Sequence, residues 1–186
     1  MSTFLSGKYD RTKVGFLRKF TPLRTAHRLH DIDLNALKEM GKELLLLDVD
    51  HTLVAWKTEE FSEEVISWLA KAKSMGFKMC ILSNTRHPIR LNRIAKRLEI
   101  EAIRGKFKPN PQIYRQALES NNVKPENAIM IGDQIMTDIF GAGRAGIDSI
   151  WLNKMPGPEF FGTKINRQIE KLIRFLIQRA HTPDQK

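Results

Sequence analysis

Four short stretches of the 186-residue chain concentrate side chains able to do chemistry. The first is Asp48-Val49-Asp50-His51-Thr52 and the second Ser83-Asn84-Thr85. The third is Lys108-Pro109, and the fourth is Gly132-Asp133 followed by Asp138. Carboxylates one residue apart on an extended strand point to the same side. If the four stretches converge, four carboxylates, a hydroxyl and an ammonium surround one point. Such a set suits a dianion beside a hard cation, because carboxylate oxygens are ligands for Mg²⁺, which keeps part of its water shell. The ammonium and hydroxyl can neutralise and orient phosphoryl oxygens. Singly, each stretch is also what an acidic surface, a turn, a helix lead-in or a strand-ending turn looks like. Their common order and setting give them weight.

That setting is an alternation of strand-like and helix-like segments. Residues 43–50 contain Leu44-Leu45-Leu46-Leu47, a short apolar run suited to a strand buried on both faces. Residues 78–84, 128–133 and 149–153 read alike, and 101–104 is a shorter candidate. Helical patterns fill residues 62–75, 88–98, 111–120 and 136–145. Ser62 suits an N-cap and Gly76 a stop. Gly141, Gly143 and Gly146 read as close helix–strand packing positions rather than a nucleotide loop. The expected architecture is α/β: a Rossmann-like parallel sheet with helices on both faces. Each of the four stretches then falls at or just past the carboxyl end of a strand, where such sheets place their sites.

These residues resemble the haloacid dehalogenase phosphatases, whose four motifs run Asp-x-Asp-x-Thr, Ser, Lys and Gly-Asp-x-x-x-x-Asp. The resemblance implies Asp48 as nucleophile and Asp50 as general acid, then base. It implies Mg²⁺ held by the side chains of Asp48 and Asp133 and by the Asp50 backbone carbonyl. It implies phosphate binding by Thr52, Ser83, Asn84 and Lys108, with Asp138 supporting the metal shell or Lys108. From about residue 17 to 179 the chain is further similar to the YqeG-type phosphatases, relatives of phosphatidylglycerophosphate phosphatases. The stretches at 44–54 and 131–138 and the run Asn166-Arg167-Gln168-Ile169-Glu170 carry that likeness. His51 stands where Asn or Gly is more usual, and Thr85 where Asn often is. His is among the residues enriched at left-handed backbone angles, so His51 is expected to keep that geometry.

Charge is unevenly spread. The net charge is +10, with +6 in residues 1–30, +4 in residues 154–186 and zero between them. This divides the chain into a basic N-terminal segment (1–30), a phosphatase domain (31–155) and a basic C-terminal part (156–186). In the last, Phe161, Ile165, Ile169, Leu172, Ile173 and Leu176 follow helical spacing, while Lys164, Arg167, Lys171 and Arg174 gather opposite. The helix can pack on the domain or lie at an anionic interface. Near the other end, Lys13, Arg18 and Lys19 alternate with Val14, Phe16, Leu17 and Phe20. No stretch reaches the ~18 apolar residues of a membrane span, and the N-terminus lacks a secretory apolar core. Cys80, the single cysteine, lies in an apolar run and reads as buried.

Between Thr52 and the helix near Ser62 there is too little chain for a cap domain, which opens the site to large substrates. The expectation is a capless, Mg²⁺-dependent cytoplasmic enzyme, peripheral at the inner face of an anionic membrane. Its expected substrate is a phospholipid, with phosphatidylglycerophosphate hydrolysed to phosphatidylglycerol. A nucleic-acid 3′-phosphatase is the runner-up, its basic ends binding by charge, although aromatics placed for base stacking are few. A non-catalytic adaptor is the third reading. The sequence sets no oligomeric state.

Overall fold

A computed structural model describes residues 15–85, 87–103 and 107–153, together with Ile173 and Phe175. Its elements run in chain order β1 (Arg24–Ala26), α1 (Leu34–Glu39), β2 (Leu44–Leu47), α2 (Glu63–Ser74), β3 (Lys78–Leu82) and α3 (Pro88–Leu98). They continue with β4 (Glu101–Ile103), α4 (Pro111–Asn121), β5 (Ala128–Gly132), α5 (Phe140–Arg144) and β6 (Asp148–Leu152). The six strands form one parallel sheet in the order β1-β6-β5-β2-β3-β4. The chain winds outward from β2 through β3 to β4, then returns to β5 on the other side of β2. The resulting switch in direction lies between β2 and β5, where open α/β sheets form their crevice.

Burial explains the Leu-rich strand. All four residues of β2 are fully buried, and they alternate between two cores. Leu45 and Leu47 pack with Val65 and Leu69 of α2 and Leu91 and Ile94 of α3. Leu44 and Leu46 pack with Ile113, Tyr114 and Leu118 of α4 and Ala142 of α5. A strand covered on both faces has no reason to alternate apolar with polar residues. The strands expected from residue 43 to 153, including the short β4, and the helices expected over 62–75, 88–98 and 111–120 are present. Ser62 caps α2, its hydroxyl accepting the Val65 N–H at 3.4 Å. Gly76 follows at φ +76, a left-handed angle that glycine adopts without a Cβ clash.

Two elements had no expectation. β1 lies within the segment set apart as a basic extension, yet it pairs with β6 as the sheet's edge strand. α1 is capped by Asp33, whose Oδ1 accepts the Asn35 N–H at 2.9 Å. The expected helix over 136–145 also differs, since residues Ile135–Ile139 wind as a wider π-turn before α5 begins. Gly141 and Gly143 are close-packing positions: an added Cβ would meet Tyr114 and the Lys19 backbone, respectively. Gly146 is instead a turn glycine at φ +77 with open space around it.

At the ends, Leu17 is buried and Phe20 stacks on Phe140 with ring centroids 4.1 Å apart. These apolar residues therefore face the protein, while Arg18 and Lys19 are exposed. Ile173 packs against Ile135, Ile139 and Trp151. Phe175 is exposed. The remaining positions of that stripe and its basic side lie outside the described residues, as do Lys13, Val14 and Arg86. Among the described residues, no helix is long and apolar enough to cross a membrane.

Cys80 is completely buried in β3, and burial pushes its thiol up to about 12. The native protein is thus expected to resist iodoacetamide at about pH 8, because the thiolate is the reactive species. The urea-unfolded chain should alkylate at this one position. Pulse labelling read by mass spectrometry checks it; fast native labelling would place Cys80 outside the core.

Candidate active site

Asp48 is the first residue beyond β2, and its N–H still bonds the Ile131 carbonyl of β5 at 3.0 Å. Its carboxylate meets Lys108, which arrives from the connection between β4 and α4. Lys108 Nζ donates to Asp48 Oδ1 at 2.5 Å and to Asp138 Oδ1 at 2.7 Å. All three residues are buried. Asn84 was expected among the phosphate ligands, but its side chain is engaged by the Lys108 backbone. Asn84 Nδ2 donates to the Lys108 carbonyl at 2.8 Å, and the Lys108 N–H donates to Asn84 Oδ1 at 2.8 Å. This reciprocal pair ties the β3–α3 connection to the residue that supplies the ammonium.

Asp138 reaches Lys108 because of the π-turn. The Gln134 carbonyl accepts N–H groups from both Asp138 (2.9 Å) and Ile139 (3.3 Å), widening the winding there. Asp138 Oδ2 in turn accepts the Gln134 N–H at 3.0 Å. The side chain passes directly over Gly132, where any Cβ would collide with the carboxylate. Tyr114 braces the same turn from α4, its hydroxyl donating to the Thr137 carbonyl at 2.8 Å. Burial first, then the charges of Asp138 and Asp48, push the Tyr114 phenol up, so it stays neutral and a donor.

Asp48, Asp133 and Asp138 bring carboxylate oxygens within 4.8 Å of one another. With Lys108 as the ammonium among them, the buried group carries two more negative charges than positive ones. Burial pushes the Asp48 carboxyl well up, and Asp138 and Asp133 add to it, against the opposing pull of Lys108. Burial disfavours the Lys108 charge, but Asp138 and Asp48 outweigh it and raise that group. A divalent cation fits this donor set: hard oxygen ligands and a deficit of two charges. Thr52, also buried, has a hydroxyl oxygen with no hydrogen-bond partner among the described residues.

Asp50 stands apart. The strand ends at Leu47, so the two-residue period no longer governs where its carboxylate points. His51 adopts φ +64, the left-handed geometry expected of it. The Asp50 carboxylate pairs with Arg90 of α3, with N···O distances of 2.8 and 3.2 Å. Sequence reasoning missed Arg90, which sits outside every motif. Ser83 directly follows β3, and its Oγ accepts the Thr85 N–H at 3.3 Å.

A family model for haloacid dehalogenase-like hydrolases matches residues 8–146. The chain belongs to that family and is a hydrolase. It is 29% identical over 160 residues to a protein of Bacillus subtilis (strain 168) named probable phosphatase YqeG, covering 86% of this chain and 92% of that one. It is 30% identical over 104 residues to a phosphoserine phosphatase of Thermus thermophilus, across 52% of this chain and 42% of that relative. The solved structure of a predicted HAD-like family hydrolase from Porphyromonas gingivalis shares the fold, with a TM-score of 0.50 at 14% identity. That match covers 69% of this chain and 98% of the other.

Because Asp138 lies over Gly132, Gly132→Ala should displace it and loosen Lys108. We expect a stability loss of about 1–3 kcal/mol from overpacking and at least about a tenfold fall in turnover from misplaced groups. Thermal unfolding and p-nitrophenyl phosphate hydrolysis measure the two. Wild-type values in both would mean that Asp138 is not held there.

Proposed function

We propose that the chain is a Mg²⁺-dependent phosphatase in which Asp48 becomes transiently phosphorylated, acting on a phospholipid such as phosphatidylglycerophosphate. The chain is a phosphoric monoester hydrolase, the class its phosphatase-named relatives share. The observation that carries the mechanism is Lys108 buried among the carboxylates of Asp48, Asp133 and Asp138. Three buried carboxylates against one ammonium are costly for a scaffold, which disfavours the adaptor reading.

Asp48 attacks the phosphorus, its new O–P bond forming as the ester oxygen departs. Asp50 gives that oxygen its proton. Water then attacks the aspartyl phosphate, Asp50 takes the water's proton, and the Asp48–phosphorus bond breaks. Lys108, Ser83 and Thr52 position the phosphoryl oxygens. The side chains of Asp48 and Asp133, with the Asp50 carbonyl, would hold Mg²⁺, and Asp138 would support them through Lys108. The ion supplies charge neutralisation between the attacking carboxylate and the phosphate dianion.

Support for a large apolar substrate is topological. The connection from β2 to α2 contains no inserted domain, so among the described residues no cap is inserted there over the carboxyl edge of the sheet. Ile89, in the first turn of α3, and Phe107, next to Lys108, are exposed large apolar residues. Exposed Arg18 and Lys19, with the basic ends, would favour an anionic membrane surface at the cytoplasmic face. Residues 31–155, with β1 as the sheet's edge strand, would form the catalytic domain between those ends.

Asp48→Asn should fold normally by circular dichroism yet turn over below about a hundredth of wild type, since the amide lacks the attacking oxygen. Acid-quenched wild type should carry acyl phosphate, and the variant none. Residual turnover above that level in clean enzyme would exclude Asp48 as nucleophile. Chelation should abolish activity and added Mg²⁺ restore it; full turnover in verified metal-free buffer would remove the cation from the scheme.

The substrate is tested by hydrolysis of phosphatidylglycerophosphate in anionic vesicles, a DNA 3′-phosphate and p-nitrophenyl phosphate. We expect kcat/KM highest for the lipid. Preference for the DNA end would establish the nucleic-acid reading instead.

A further inference from the structure

We propose that Arg90 is a positioning residue that sets the Asp50 carboxylate for proton transfer. The proposal rests on the reading of Asp50 as acid and base. Arg90 lies in the first turn of α3, its side chain only 11% exposed. Nη1 donates to Asp50 Oδ2 at 3.2 Å and Nη2 to Asp50 Oδ1 at 2.8 Å. The same guanidinium donates to the Thr58 carbonyl, from Nε at 3.1 Å and from Nη2 at 2.6 Å. One side chain therefore fastens both the carboxylate and the loop behind it.

Anchoring that loop does not by itself account for Arg90. Arg93 and Arg97, on the same face of α3, hold the adjacent residue: Arg93 Nε donates to the Glu59 carboxylate at 2.9 Å, and Arg97 Nη1 to the Glu59 carbonyl at 3.0 Å. Both contacts are exposed, and neither arginine reaches Asp50. Arg93 also forks a carboxylate, that of Glu59, but with its side chain 60% exposed; of the three arginines, Arg90 is the one that turns inward and forks Asp50.

Asp50 needs such a grip. It lies past the end of β2, joined to Val54 by a single bridge and followed by the left-handed His51. The Lys57 N–H at 3.4 Å from Oδ1 is a weak further contact. A carboxylate on a turn samples several rotamers, and a misplacement of about 1 Å can cost roughly a hundredfold in rate. The planar fork of arginine fixes the carboxylate plane as well as its position. It occupies one lone-pair direction on each oxygen and leaves another free for the transferred proton. Arg90 itself exchanges no proton.

The test compares kcat/KM for p-nitrophenyl phosphate, whose leaving group departs without a proton, with that for glycerol 3-phosphate, whose alkoxide needs one. Asp50→Asn should lose about a hundredfold on the alkyl ester and far less on the aryl ester. Arg90→Met should show the same selectivity, about tenfold or more against about twofold, and Arg90→Lys should recover part of it. Arg93→Met, which releases only Glu59, should change both esters equally. If Asp50→Asn affects both esters alike, the acid–base reading fails and the proposal falls with it. If Asp50→Asn discriminates while Arg90→Met does not, whether it is silent or uniformly impaired, the proposal fails and the reading stands. Should Arg90→Met not fold, Arg90→Lys decides, since lysine cannot form the fork; a uniform loss or none overturns the proposal.

Discussion

The Lys108 ammonium, buried between Asp48 and Asp138, is the contact around which the site is arranged. Leaving one partner of such a buried pair alone costs about 3–5 kcal/mol, so each group that places another near Lys108 matters. Asn84 grips the Lys108 backbone. Gly132 leaves the space through which Asp138 passes, and the π-turn aims it. Tyr114 holds the carbonyl before Asp138, and Gly141 makes room for Tyr114. These residues come from five separate segments, and their shared requirement is the position of one nitrogen.

The same arrangement is electrostatically incomplete. Three carboxylates face one ammonium, and the imbalance appears in Asp48, which burial and its acidic neighbours push toward the protonated form. In that form it is a poor nucleophile, and in the ionised form it repels an incoming dianion. Either difficulty would be relieved by a divalent cation at the Asp48–Asp133–Asp138 cluster, as in the proposed mechanism. Stability alone would favour apolar residues at these positions. The charges make sense as groups kept ready for a reaction, at a cost met by the two well-packed cores on either face of β2.

The parts legible in the sequence were those set by local pattern. The Leu44–Leu47 run announced a strand buried on both sides, and Ser62 and Gly76 marked the ends of α2. His51 showed its left-handed turn through residue type alone. What escaped depends on distance through space. Arg90 is one arginine among several on α3, and only the path of the 55–59 loop distinguishes it from Arg93 and Arg97. Asn84 sits in a motif but serves the backbone of a residue 24 positions away. β1 is three residues long with no apolar run, so pairing with β6, not propensity, makes it a strand. Phe20 looked available to a membrane until Phe140 supplied its partner surface, and Leu17 is buried. Asp33 before Leu34 and Leu37 was a usable signal for α1.

The two halves of the site are fastened independently, and this has a chemical consequence. Asp48, Lys108 and Asp138 are tied to elements packed on the α4–α5 side of the sheet. Asp50 is tied through Arg90 to α3, on the opposite side. The phosphate group is the same in every monoester, so the groups that meet it gain from being rigid and deeply buried. Leaving groups vary in size and basicity, and the group that meets them is carried on a turn at the more exposed edge, with side-chain exposure of 23% for Asp50 against 9% for Asp48. On the proposed mechanism, substitutions along the 55–61 loop or the arginine face of α3 would shift Asp50 relative to the phosphorus while the buried pair around Lys108 stays in place. Leaving-group preference would then be altered through one surface loop, without repacking the core that aligns Asp48.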